Sequence, residues 1–207
     1  MKRPEFSPLT IFICKVLLLL PVCLAVWYWL LTPLNTPLAW LAHLALTTLW
    51  GDVIEVVQLI GHQLDVTTWL APPGQPNNTR ASIILEINPL LYSYSLPFAV
   101  ALILATPATW VKKLIALLIA YVLLLLIQSW GVCFHIVKTL VFQSGPEINA
   151  RLSFSTISQA LIGLAYQFGY LILPSLSPIV IWIALFRDFV QSIAPQVKIL
   201  ENKSTRE

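Results

Sequence analysis

The chain has 207 residues, of which 58% are apolar or aromatic and only 10% are charged, with a formal net charge of +3. Soluble domains carry about 25% charged residues, so a surface this poor in charge would not stay dispersed in water. The composition indicates an integral membrane protein. It excludes a soluble enzyme, a disordered regulator and a nucleic-acid-binding protein with a basic face.

Four apolar segments are long enough to cross the hydrocarbon core of a bilayer as helices. They are residues 9–31, 92–109, 114–137 and 157–186. The first is longer than the core of a secretory signal peptide and is not followed by a cleavage site, so we predict an uncleaved anchor. The last is longer than a straight span needs, and we expect Pro174 and Pro178 to kink it.

The basic residues predict the orientation of these spans. Four spans put both termini on the same side, together with nine of the 12 basic residues but only four of the nine acidic ones. Cytoplasmic segments are enriched in Lys and Arg, so we predict that the N-terminus and the tail at 187–207 are cytoplasmic. Residues 34–50 are apolar enough to suggest a fifth span. A crossing there would turn Lys112 and Lys113 outward, and we therefore reject it.

Residues 34–91 are predicted to form an extracytoplasmic insert. Polar side chains recur in it at helical spacing: Thr48, Asp52, Glu55 and His62. This stripe predicts an interfacial helix at 37–60. In residues 63–88, apolar and polar residues instead alternate with a period of two on both sides of a Pro- and Asn-rich tip. This pattern predicts a β-hairpin. The predicted fold class is therefore integral membrane and mainly α, with four transmembrane helices, an interfacial helix and a hairpin insert.

Polar and aromatic residues gather where the hairpin enters the second span. They are Glu86, Asn88, Pro89, Tyr92 and Tyr94. Asn-Pro is a strand-ending signal, and Tyr is common at the membrane interface. Polar groups at the mouth of a span need hydrogen-bonding partners. We therefore predict these five residues as candidates for contact with a partner. The edges of the hairpin are also available to pair with an extended segment of a partner.

Cys133, His135 and Arg151 form the most suggestive catalytic set. A membrane transpeptidase can combine a Cys nucleophile with a His base and an Arg that stabilises charge. Residues two apart on a helix do not face each other, however. We therefore favour a buried thiol beside an interfacial imidazole, and we keep a membrane Cys enzyme as an alternative.

Metal binding and transport have weaker support. Four residues suggest a metal: His43, Asp52, Glu55 and His62. Their separations do not place three ligands on one turn, so no metal and no other cofactor is predicted. A small lipid- or solute-handling protein remains an alternative. The polar residues available to line its cavity are Gln128, Ser129 and Gln167.

Three stretches of the sequence are similar to one known family. They are LLLLPVCLAVWYWL at 17–30, Gly51-Asp52, and INPLLYSYSLPFAVALILATP at 87–107. They resemble the small bacterial exosortase H-associated membrane proteins, best in the first half of the chain. The resemblance implies a protein of the bacterial cell envelope; together with the predicted spans, this predicts a multi-pass protein of the inner membrane in contact with lipid, and the composition excludes nucleic acid as a partner. The resemblance also implies a non-enzymatic accessory role beside an exosortase-type transpeptidase, which processes envelope proteins that carry a C-terminal sorting tail. It carries over no functional residue.

Overall fold

We describe residues 7–70, 83–143 and 154–193 in a computed structural model of the chain. Most of these residues are helical, as predicted. The elements in chain order are α1 (Pro8–Trp29), α2 (Leu31–Trp50), β1 (Ile54–Ile60), β2 (Gln63–Thr68), β3 (Ile84–Ile87), α3 (Leu90–Ser93), α4 (Ser95–Ala105), α5 (Trp110–Gln143), α6 (Thr156–Gln167), a π-helical segment (Phe168–Ile172), α7 (Leu173–Leu185) and α8 (Arg187–Ile193).

Three helical segments in the described chain are long and apolar enough to cross a membrane. They are α1, α5 and the continuous segment Thr156–Leu185, which joins α6, the π-helical segment and α7. The stretch Leu90–Ala105 covers most of the predicted span 92–109, but it is shorter and consists of two helices, α3 and α4. Three candidate spans are therefore present, and the fourth stays a prediction.

The longest predicted span departs from α-helical geometry just before its first kink-forming proline. The π-helical segment ends at Ile172, and Pro174 follows in the first turn of α7. A proline ring collides with the preceding turn of a regular α-helix. The wider π turn therefore lies where the sequence predicted a distortion.

The predicted helix at 37–60 is wrong in its last part. α2 ends at Trp50, a turn follows, and β1 occupies Ile54–Ile60. The sequence of β1, IEVVQLI, is rich in β-branched residues, which fit a pleated strand better than a helix. Gly61, with a φ of 62°, then begins a two-residue turn into β2. The polar stripe is therefore divided among a helix, a turn and a hairpin.

β2 is the central strand of a three-stranded antiparallel sheet with the order β1–β2–β3. Leu64 is paired with Ile87, and Val66 with Leu85. This is the pairing expected inside the predicted hairpin at 63–88, although its tip lies outside the described residues. β1 is an additional strand, and a third strand makes such a sheet more stable than an isolated hairpin.

The chain divides into two compact units. We call Leu30–Tyr94 and Leu123–Ser177 the sheet unit, and Met1–Trp29, Ser95–Val122 and Pro178–Glu207 the terminal unit. The core of the sheet unit joins one face of the sheet to α2 and α5. It includes Ile54, Leu64, Val66 and Ile87 from the strands, Leu38, Ala42 and Leu46 from α2, and Val132, Ile136 and Leu140 from α5. The strand residues recur at alternate positions, as a half-buried sheet requires.

The terminal unit is held by aromatic stacking, one buried polar contact and one partly buried polar contact. Phe12 of α1 stacks on Trp182 with ring centroids 5.1 Å apart. The indole N–H of Trp182 donates to Thr106 Oγ1 over 2.8 Å. Lys113 Nζ donates to the Leu104 carbonyl over 2.7 Å, at the end of α4, where helix carbonyls have no partner within the helix. The predicted tail at 187–207 begins with α8.

Candidate functional site

The predicted partner-contact residues lie where β3 continues into α3. Glu86 and Asn88 are exposed, and Tyr94 is 39% exposed, whereas Pro89 and Tyr92 are buried. A partner that approaches this part of the sheet unit would therefore meet Glu86 and Tyr94 directly. It would not reach the ring of Tyr92.

Two of the five residues have local roles in the sheet unit. Asn88 Oδ1 accepts a hydrogen bond from the backbone N–H of Leu90 over 2.9 Å and so satisfies a donor at the start of α3. The Tyr94 hydroxyl is 3.1 Å from Ser175 Oγ, which in turn donates to the Leu171 carbonyl. These contacts connect α3 with the helical segment that follows the π turn.

Tyr92 is the centre of a cluster of polar aromatic side chains. Its hydroxyl is 3.1 Å from His135 Nδ1 on α5. Its ring meets Tyr170 edge-on at 6.2 Å, and Tyr166 is stacked on Tyr170 at 5.7 Å. The imidazole of His135 lies 5.2 Å from the Tyr166 ring, and Lys138 Nζ lies 5.2 Å from the same ring. We call these five residues the tyrosine–histidine cluster.

Two glycines make room for this cluster. A Cβ on Gly131 would lie 2.5 Å from Cδ1 of Tyr92, and a Cβ on Gly169 would lie 3.0 Å from the Cα of Gly131. Small residues let membrane helices approach closely. Gly131 and Gly169 therefore bring α5 against the π-helical segment and leave a slot that the Tyr92 ring fills.

Burial limits the chemistry open to the Tyr92 hydroxyl, whereas the other four residues of the cluster are half-buried. Tyr92 is 0% exposed, so a substrate cannot reach its hydroxyl in this arrangement. General acid–base catalysis needs a group within hydrogen-bonding distance of the substrate. The Tyr92–His135 contact links α3 to α5 within the sheet unit.

The structure also separates two members of the alternative catalytic set. Cys133 packs against the apolar core, whereas His135 points at Tyr92 and Tyr166. Residues two positions apart in an α-helix are separated by about 200° around the helix axis. The side chains of Cys133 and His135 therefore leave α5 on nearly opposite sides. Arg151 lies outside the described residues.

The residues considered for a metal site are also dispersed. In the described ranges, no three His, Cys, Asp or Glu side chains come close enough to hold a metal ion. His43 Nδ1 accepts the backbone N–H of Val57 over 3.2 Å and links α2 to β1. Asp52 lies in the turn after α2, and His62 lies in the turn between β1 and β2.

The sheet has two edge strands, β1 and β3, and the outer edge of β3 lies beside the predicted partner-contact residues. The carbonyl of Ile83 accepts a hydrogen bond from the N–H of Thr68 at the end of β2, and the N–H of Ile83 donates to the Leu70 carbonyl just after it. Backbone groups alternate in direction along a strand, so those of Ile84 and Glu86 point to the outer edge. No strand within the described residues pairs there. The side chain of Ile84 is 58% exposed.

Comparison with known proteins identifies the family. The model for exosortase H-associated membrane proteins matches residues 6–189. The chain belongs to this family. The match includes all three candidate spans and the sheet, so family membership covers the second half of the chain as well as the first. No curated protein and no solved structure matches the chain.

Sequence reasoning did not single out four residues that the structure brings together. They are Gly131, Tyr166, Gly169 and Tyr170. Tyr166 and Tyr170 are four apart, a spacing that places both on one helix face. Gly131 and Gly169 each lie within a long apolar helical segment. These two signals were readable, but their convergence on Tyr92 depends on how the helices pack.

Proposed function

We propose that this exosortase H-associated protein is a non-enzymatic accessory subunit that binds an exosortase-type transpeptidase in the bacterial inner membrane. The observation that carries the proposal is the family match over residues 6–189, because the family is described by its association with exosortase H. Three helical segments that are long and apolar enough to cross a membrane support an association within the membrane. The partner is therefore a membrane enzyme, and the accessory chain supports protein sorting in the envelope.

The contact surface that we propose is the outer edge of β3 together with Tyr94. An extended segment of the enzyme, or of its tailed substrate, would add to the sheet by bonding to the backbone of Ile84 and Glu86. In this mode main-chain hydrogen bonds supply affinity, and neighbouring side chains supply specificity. The exposed Glu86 carboxylate and the Tyr94 hydroxyl are suited to providing this specificity.

The test is co-purification of the exosortase with the full chain in mild detergent. The Glu86→Pro variant removes an N–H that points away from β2 and obstructs pairing at the edge, but it leaves the β2–β3 hydrogen bonds in place. Glu86→Ala is the matched control, because it removes only the side chain. We expect the proline variant to lose most of the bound enzyme and the alanine variant to keep at least half.

Two results would contradict different parts of the proposal. Recovery of the wild-type chain without any exosortase would reject the accessory role itself. Equal recovery with Glu86→Pro and Glu86→Ala would reject the sheet edge and leave the role standing. A Cys133→Ala variant separates the accessory role from catalysis, since the proposal expects substrate processing to continue unchanged.

A further inference from the structure

An apolar groove lies in the sheet unit between α5 and the segment formed by α6 and the π turn. Its volume is about 450 Å³, within the range of ligand-binding pockets. Its walls are formed mainly by Trp130 and Phe134 on one side and by Leu161, Leu164 and Phe168 on the other. Leu164 is 62% exposed, so this wall is open to the surroundings.

Lys138 lies just beyond one end of this groove. It lies four residues after Phe134, which places it on the same face of α5, about one turn further along the helix. Its ammonium group is held over the ring of Tyr166, the residue after Ala165 in the opposite wall. Neither α5 nor the segment Thr156–Leu185 contains an Asp or a Glu. The two helical segments that form the groove therefore carry a positive charge beside it and no acidic side chain of their own.

The length of α5 puts this charge at the level of lipid headgroups. Residues 114–137 carry no Lys, Arg, Asp or Glu, and they separate Lys113 from Lys138. As an α-helix this run is roughly 36 Å long. The hydrocarbon core is about 30 Å thick, and the headgroups extend the bilayer to about 40–45 Å. With Lys113 at one interface, Lys138 lies at the other, and the groove lies at the depth of the acyl chains beside it.

We propose that this groove binds an anionic phospholipid. One acyl chain lies against Phe134 and Leu164, and the phosphate group contacts the Lys138 ammonium. Charge complementarity favours this occupant, because a phospholipid supplies both an apolar chain for the groove and an anion for Lys138, whereas a purely apolar helix supplies only the first. The site is independent of the proposed enzyme contact at the β3 edge.

The experiment is native mass spectrometry of the full chain in detergent, titrated with phosphatidylglycerol or with phosphatidylcholine. A basic residue near an anionic membrane surface contributes about a fivefold preference, so we expect about that ratio in favour of phosphatidylglycerol. Lys138→Gln removes the preference. Leu164→Trp fills the groove and weakens the binding of both lipids. Because the side chain of Leu164 is exposed, this variant is expected to fold.

Two matched variants control for lipid that merely surrounds the protein. Lys112, like Lys138, is held over an aromatic ring, at 5.4 Å from that of Phe186, and Lys112→Gln should keep the preference. Leu118 is 65% exposed and lies outside the groove, and Leu118→Trp should bind both lipids normally. Equal effects of the two Lys variants, equal effects of the two Trp variants, or no lipid preference in the wild-type chain would overturn the proposal.

A photoreactive side chain at position 161 tests the occupant in native membranes. We expect a cross-link to phospholipid, and a smaller yield when Lys138 is replaced by Gln. A cross-link to a protein instead would identify a partner helix as the occupant and would reject the lipid site. This result would not affect the test at Glu86, which reports on a different surface.

Discussion

Substitution of Gly131 by Ala is the sharpest test of how the sheet unit is packed. The added methyl group would lie 2.5 Å and 2.6 Å from two ring atoms of Tyr92, and 3.1 Å from the Gly169 carbonyl oxygen. Tyr92 is fully buried, so its ring has no open space to enter. Overpacking of this kind costs about 1–3 kcal/mol.

Two smaller effects modify the cost of Gly131→Ala. Displacing the Tyr92 ring stretches its hydrogen bond to His135, which contributes about 1 kcal/mol. Alanine is a better helix former than glycine by about 1 kcal/mol. These two effects nearly cancel, so we expect the free energy of unfolding to fall by about 2 kcal/mol. This change lowers the ratio of folded to unfolded protein by about thirtyfold.

The assay is equilibrium unfolding of the full chain in mixed detergent micelles. Gly163→Ala is the matched control, because a Cβ at that position meets no atom within 4 Å. It should be neutral or up to about 1 kcal/mol stabilising. If Gly131→Ala proves as stable as Gly163→Ala, the close crossing at Tyr92 is refuted. A Tyr92→Ala background should remove the steric part of the difference, since both residues compete for one space.

Three further predictions concern other parts of the molecule. Thr106→Val should cost about 1–3 kcal/mol, because it leaves the buried indole N–H of Trp182 without its acceptor; thermal unfolding unchanged from wild type would contradict this contact. His43→Leu should speed hydrogen exchange at the Val57 amide and cost about 1 kcal/mol, and an unaltered exchange rate would count against the link from α2 to β1. A protease added to the outer face of intact cells should cut near Gly74, which lies outside the described residues, and spare the tail at 187–207. Cleavage of the tail alone would invert the predicted orientation.

Much of the helical architecture could be predicted from local composition. Residues 9–31 and 114–137 fall almost entirely within α1 and α5, because a long run of apolar residues can satisfy its backbone polar groups in lipid only as a helix. The hairpin that contains Leu64 and Ile87 could also be predicted, since alternation with a period of two marks which side of each strand is buried. The predicted helix at 37–60 is wrong beyond Trp50, because its polar stripe resembles one helix face.

The signal that was overlooked is local too. β-branched residues in β1 followed by Gly61-His62 indicate a hairpin turn, and they conflict with a helix that continues to residue 60. The candidate contact residues show the opposite problem. Glu86 and Tyr92 lie six residues apart, on either side of the junction between β3 and α3. Glu86 is nevertheless exposed, whereas Tyr92 is completely buried. Only the surrounding helices determine this difference.

The sequence by itself determined that this protein belongs in a membrane, that it is mainly helical and which family it resembles, because hydrophobicity and chain length act on each segment separately. The tertiary structure alone decided which residues share a site. Gly131 and Gly169 lie far apart in the chain but adjoin across two helices, and Lys138 acquires a neighbour in Tyr166 by the same crossing. Such contacts depend on shape and distance between segments, and no pattern within one segment records them.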